Sequence, residues 1–242
     1  MDNNYYGNNN EHKTIINGQV YNGEQTDEQV NLFTKVFGWM FVGLIVTTFF
    51  TIFGRNMYLR MIEETSLLIV FLVFIQIGLV AFISARVHKM SFITALGAFL
   101  FYAALNGITL SWIFLEYAKG TIYGAFGVTA LLFGIMAIIG TVTKKDLSAM
   151  GNFAMMALIG IIIASVANIF LKSDGISWLL TYVGVLVFVA LTAYDVQKIK
   201  KLSDTGRYNT NQIAILGALT LYLDFINLFI RILRILGKKS ND

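Results

Sequence analysis

From Leu32 onward the chain alternates long apolar runs with short charged segments, and most runs are near the ~20 residues that a helix needs to cross a hydrocarbon layer. Seven such runs are expected as transmembrane helices: Leu32 to Phe53, Leu67 to Ala85, Phe92 to Tyr117, Ile122 to Val142, Phe153 to Leu171, Ile176 to Tyr194 and Ile213 to Leu236. The last is the least ordinary. It carries Asp224 and Asn227 inside and Arg231 and Arg234 near its end, so its clean apolar length is marginal. Residues 1–30 have no apolar period, are rich in Asn and Gly, and scatter Tyr5, Tyr6 and Tyr21, which is the pattern of a disordered tail. The first apolar run comes too late for a secretory signal. The expected organisation is a tail over 1–30, an all-α seven-helix transmembrane domain over 31–237, and a short basic tail over 238–242.

Composition sharpens this picture. Hydrophobic residues make up 57% of the 242 and charged residues 13%, a balance that one water-soluble core could not hide. Cysteine is absent, so disulfides and thiolate metal sites are excluded, and His12 and His88 are too few and too far apart for a histidine-built metal centre. Proline is absent too, so a break in a membrane helix must come from glycine, a polar insertion or a loop. A formal net charge of +4 is what loop topology produces in a membrane protein, and no nucleic-acid partner is expected.

Loop charges set the orientation. If each run spans once, the face holding the N-terminus carries Lys13, Lys35, Arg86, Lys89, Lys144, Lys145, Lys198, Lys200, Lys201 and Arg207, whereas the opposite loops carry Arg55, Arg60, Lys119 and Lys172. This places the N-terminus in the cytoplasm of a multi-pass protein. The C-terminal cations Arg231, Arg234, Lys238 and Lys239 complicate the rule, because a seventh crossing sends them to the other face; a seventh run that dips in and returns would restore it. Ala103, Gly107 and Ser111, four residues apart, form a stripe read as a helix-packing face. Trp112, Trp178, Tyr117, Tyr123 and Tyr194 lie near run ends, where amphipathic rings settle at headgroups.

An ionisable side chain in hydrocarbon costs at least ~2.5 kcal/mol, so the few that occur there direct attention to function. Asp224 lies deep in the seventh run with apolar neighbours on both sides, and Asp195 closes the sixth. Arg86 ends the second and Glu116 edges the third. The structural alternatives are an interhelical hydrogen bond from Asp224, with Asn227 one turn on as a supporting polar contact, and an ordinary interfacial salt bridge from Asp195 to Lys198, Lys200 or Lys201. Should the two carboxyl groups meet, they would share a proton and form a pH sensor. Arg86 is then the candidate latch on the ionised form. The same acids suit a passing hard cation such as Ca²⁺, bound transiently and not as a resident metal. Depth counts against the meeting: hydropathy puts Asp195 at the membrane boundary and Asp224 roughly 16 Å below it. Either the sixth helix is buried deeper than its hydropathy implies, or the seventh begins before Ile213.

Four stretches carry a family resemblance: Gly107 to Phe114, Lys144 to Ser148, Thr192 to Lys200, and Leu219 to Leu228. They fall in order across the third to seventh runs, and in them the chain resembles the Bax inhibitor-1 family, most of all its bacterial members. The resemblance covers about Leu32 to Gly237. It implies six helices surrounding a central C-terminal helix and a pH-sensitive Ca²⁺ leak across the inner (plasma) membrane, with Asp195 and Asp224 as the sensing pair and a second-helix arginine, matched here by Arg86, engaging them. Ca²⁺ and protons are then cargo and signal, with no cofactor. The other functions considered are an interaction protein that modulates a membrane protease or a cell-death or stress partner, and a proton-coupled transporter, for which no inverted repeat is evident. Enzyme activity is not expected, because the nucleophile-elbow, zinc-helix and phosphate-loop motifs are all missing.

Overall fold

The computed structural model describes residues 13–16, 19–65, 67–204 and 209–237. Two short strands, β1 (Lys13–Ile16) and β2 (Gln19–Asn22), pair antiparallel with Lys13 opposite Asn22 and Ile16 opposite Gln19. Helices follow: α1 (Gly23–Phe53), α2 (Arg55–Glu64), α3 (Leu67–Arg86), α4 (Phe92–Thr109), α5 (Ile113–Glu116), α6 (Lys119–Val142), α7 (Ser148–Leu171), α8 (Asp174–Asp204) and α9 (Thr210–Leu236). A 3₁₀ turn extends α3 through Lys89, and another joins α4 to α5. Among the described residues seven helical stretches are long and apolar enough to cross a membrane, in agreement with the seven hydropathic runs and the all-α class.

Two boundaries differ from the hydropathic ones. Of the tail expected over 1–30, residues 1–12 and 17–18 lie outside the described residues, whereas the hairpin and the start of α1 occupy 13–16 and 19–30. The first helix therefore starts well before its apolar run, because helix geometry tolerates polar residues that hydropathy does not count. The short tail over 238–242 lies outside the described residues. At the other end, α8 does not stop at Tyr194 but continues nine residues past Asp195 to Asp204. Beyond Asp195 the helix still buries Val196, Gln197 and Ile199, so its protein-packed length exceeds its apolar length.

Helix α9 is the most enclosed. In its most apolar window 72% of residues are buried, against 11% for α7. It packs chiefly on α8 and α1, then on α6 and α4, while α3 lies against α4 and α7 against α8. Four helices thus make its main contacts, where the resemblance implied a ring of six. Outward-facing Phe71, Phe74, Ile93, Phe153 and Phe170 are exposed, as expected where lipid tails are the solvent.

Small residues and polar links bring the helices close. The Ala103, Gly107 and Ser111 stripe packs on α1, where a Cβ at Gly107 would run into the Thr47 carbonyl. Thr47 Oγ1 donates to the Ala103 carbonyl at 3.0 Å, and Ser111 Oγ donates to the Thr51 carbonyl at 3.0 Å. Tyr222 of α9 closes this group. Its hydroxyl accepts from Asn106 Nδ2 at 2.7 Å and shares a 2.6 Å hydrogen bond with Thr47. A Cβ at Gly140 would meet the Ala193 carbonyl, so α6 and α8 approach to backbone distance there.

The loop between α6 and α7 is held to the far end of α8. Gln197 Oε1 accepts from the Leu147 N–H, and its Nε2 donates to the Lys145 carbonyl, both at 2.8 Å. Lys201 meets Asp146 at 2.6 Å, and Asp146 in turn accepts from the Ser148 N–H and hydroxyl at the start of α7. Lys201 and Ser148 hold the Asp146 carboxyl well below the usual carboxylate range. Because that carboxyl titrates below its unfolded value, the clamp stays charged above the ordinary carboxylate range and is lost only in strong acid. It is exposed and contributes little to stability. Lys144 to Ser148 and Thr192 to Lys200, two of the four resemblance stretches, are therefore in physical contact.

The Tyr222 cluster generates a stability prediction. Tyr222→Phe leaves Asn106 and Thr47 facing each other without the hydroxyl and should cost about 1–2 kcal/mol, the scale of a good interhelical hydrogen bond in a membrane protein. Thermal unfolding in detergent should show this loss, whereas Tyr123→Phe, at an exposed ring, should leave the midpoint unchanged.

Candidate functional site

Asp195 and Asp224 are 7% and 5% exposed, and the α8–α9 contact brings their carboxyl groups to the same cavity. A hydrogen bond between the two would require a proton, since an ionised carboxylate only accepts. The depth conflict is resolved by the first of its two alternatives. The nine residues of α8 beyond Asp195 move it about 13 Å in from the helix end, and α9 adds only three residues before Ile213.

The salt-bridge alternative for Asp195 is not what the lysines form. Lys201 is engaged with Asp146, Lys200 donates to the Thr141 carbonyl at 3.4 Å, and Lys198 lies over the Tyr194 ring at 5.8 Å. Lys198 still acts on Asp195 electrostatically. Asn227 sits one turn beyond Asp224 and donates to the Leu223 carbonyl of its own helix at 2.8 Å.

Arg86 is not brought to the pair. It is exposed at the end of α3, and the turn that follows it docks at the start of α9, where Gln212 Nε2 donates to the His88 and Met90 carbonyls at 3.2 and 3.3 Å. Gln212 is twelve residues before Asp224, roughly 18 Å along the helix. The turn after Arg86 anchors that end of α3 at the rim, away from the acids it was expected to latch.

A different arginine faces the acids. A cavity of ≈ 610 Å³ between α7, α8 and α9 is lined by Asp195, Asp224, Asn227 and Arg231, together with apolar residues of α7 and Phe188 and Leu191 of α8. Arg231 Nη1 donates to the Leu180 carbonyl at 2.7 Å, and the guanidinium lies 5.4 Å from the centre of the Phe188 ring. It fits because residue 184 is glycine: a Cβ there would strike the guanidinium. Two buried polar atoms at this cavity have no hydrogen-bond partner among the described residues, Asp224 Oδ2 and Arg231 Nε. The sequence held a signal for Arg231 in its spacing. Thr220, Asp224, Asn227 and Arg231 fall at i, i+4, i+7 and i+11, one face of a helix, and all four line the cavity.

Two carboxyl groups sharing a proton form a link that changes with pH. Losing that proton removes the hydrogen bond and leaves two like charges in a low dielectric, whereas a second proton neutralises both groups. Among the described residues no three His, Cys, Asp or Glu side chains gather as a metal site, so two acids are what the site offers a cation.

The chain matches the protein-family model described as "Inhibitor of apoptosis-promoting Bax1" over residues 29–241. It is 44% identical to the inner membrane protein YbhL of Escherichia coli over 211 residues, 85% of this chain and 90% of that protein. It is similar to a protein of Borreliella burgdorferi at 43% over 213 residues (86% and 92% of the two chains) and to one of Deinococcus radiodurans at 37% over 216 residues (88% and 93%). With seven candidate spans and a family match running from the start of α1 past the end of α9, the chain is a multi-span membrane protein that belongs to the Bax inhibitor-1 family.

Proposed function

We propose that this protein is a pH-regulated cation leak, with Ca²⁺ as the cargo and the Asp195–Asp224 pair as its sensor. The observation that carries the reading is the meeting of two buried carboxyl groups, Asp195 of α8 and Asp224 of α9, at one cavity in a chain built to cross a membrane. With one proton shared, the link ties the most enclosed helix to its neighbour. Without it, the two carboxylates repel and present four oxygen atoms to the adjoining cavity, the ligand type a hard cation prefers. Two acids without further carboxylates suit brief contact better than retention, as conduction requires. The working membrane is the bacterial inner membrane, on the strength of the likeness to YbhL, and loop charge favours a cytoplasmic N-terminus.

Purified protein in liposomes loaded with a Ca²⁺ indicator tests the reading. Wild type should pass Ca²⁺ at a rate that changes with pH between 5 and 8, and Asp224→Asn or Asp195→Asn should flatten that dependence. Flux that is absent, or equally pH-dependent in both variants, contradicts it and favours an interaction protein acting on a membrane protease or a stress partner.

A second expectation concerns the clamp on α8. Gln197→Ala removes both hydrogen bonds to the Lys145–Leu147 backbone without touching the carboxyl groups. If depth along α8 sets the pairing, this variant should shift the pH midpoint of the flux while keeping a pH dependence; an unchanged midpoint would mean that the loop does not position Asp195.

A further inference from the structure

Arg231 is a full cation inside a membrane-spanning helix, and nothing in the pH-sensing reading requires it. Its contacts hold it in place without neutralising it. The Leu180 carbonyl and the Phe188 ring fix the guanidinium, and neither supplies a negative charge. Gly184 clears the volume it occupies. The charged groups around it are Asp195 and Asp224 across the cavity and Arg234 one turn on, a second cation that acts on it electrostatically. Arg234 itself turns elsewhere: it is exposed, its Nη1 reaches the Thr181 hydroxyl at 3.5 Å, and it lines a different recess with Asp174 and Trp178.

The two orphan polar atoms point to what the cavity holds. Asp224 Oδ2 and Arg231 Nε are both buried and have no partner among the described residues, and both residues line the same ≈ 610 Å³ space. A buried acceptor and a buried donor without partners are satisfied by water. Arg231 lies seven residues beyond Asp224, roughly 10 Å along the helix axis. Water at these two atoms would make the cavity a hydrated recess, and the leak reading takes it as the ion's passage, with the acids at one level and a fixed positive charge at the next.

We infer that Arg231 is an electrostatic barrier in this passage, a residue that holds the cation leak at a low rate and makes it depend on ion charge. The inference rests on the cation-leak reading and deepens it. An ion that leaves the aspartate pair toward the C-terminal end of α9 passes the guanidinium, and the repulsion doubles for a divalent ion relative to a monovalent one. Arg231 acts here through its charge, so lysine should serve in its place and an isosteric neutral group should not.

The test uses the full chain in liposomes, with a Ca²⁺ indicator inside and a halide-sensitive dye in parallel vesicles. Arg231→Gln should raise the initial Ca²⁺ rate by about two orders of magnitude, the size expected of one charge acting on a divalent ion across ~10 Å at an effective dielectric near 20. K⁺ flux should rise by a smaller factor. Arg231→Lys, which keeps the charge, should lie closer to wild type than to Arg231→Gln, Arg234→Gln should leave the rate unchanged, and chloride flux should remain at background throughout. A rise in chloride together with Ca²⁺ would report a damaged fold and overturn the barrier, as would a rate for Arg231→Gln equal to a measurable wild-type rate. If wild type passes no Ca²⁺, the leak reading in its wild-type form fails; a Ca²⁺ flux in Arg231→Gln would then still support the barrier, and silence in both would overturn it.

Discussion

A carboxyl group inside a membrane helix needs a proton, a partner or water, and this protein buries two of them, Asp195 and Asp224, at one cavity. Much of the architecture serves that placement. Helix α9 carries Asp224 into the centre of the bundle, enclosed by α1, α4, α6 and α8. Helix α8 carries Asp195 to a matching depth only because its polar C-terminal turns are taken up by protein: Gln197 by the α6–α7 loop backbone, Lys200 by the Thr141 carbonyl and Lys201 by Asp146. The glycine at 140 lets α6 approach α8 at Ala193, two residues from the acid.

The two faces of α9 divide the labour. One presents Tyr222 to Asn106 and Thr47, a neutral hydrogen-bond group that is satisfied within the protein and fixes α9 against α1 and α4. The other presents Asp224, Asn227 and Arg231 to a cavity in which two polar atoms remain unpartnered among the described residues. A satisfied polar cluster rigidifies, whereas an unsatisfied one is matched by solvent and can change with protonation. The contrast assigns structure to the first face and chemistry to the second, and membership of the Bax inhibitor-1 family agrees with a membrane setting for both.

Seven spans were legible because each apolar run is close to bilayer thickness and none needs tertiary information to be seen. The end of the sixth span was not. Hydropathy treats Asp195, Gln197, Lys198, Lys200 and Lys201 as solvent-facing, and only the fold shows that most of them bond to the α6–α7 region. Asp224 was legible from its own sequence neighbours. Arg86 was named as a latch because it ends the second run and matches a second-helix arginine of the family, but its following turn docks on Gln212, far from the acids along α9. Arg231 was counted as a terminal charge because its distance from Asp224 was judged along the sequence; the helical period, which puts Thr220, Asp224, Asn227 and Arg231 on one face, carried the missing information.

The central claim is that Asp195 and Asp224 hold one proton between them at neutral pH, and infrared difference spectroscopy of the protein in lipid measures it directly. The account predicts a protonated-carboxyl C=O band at pH 7 that is lost in both Asp195→Asn and Asp224→Asn. A spectrum without such a band at pH 7, or a band that only one of the two substitutions removes, would contradict it.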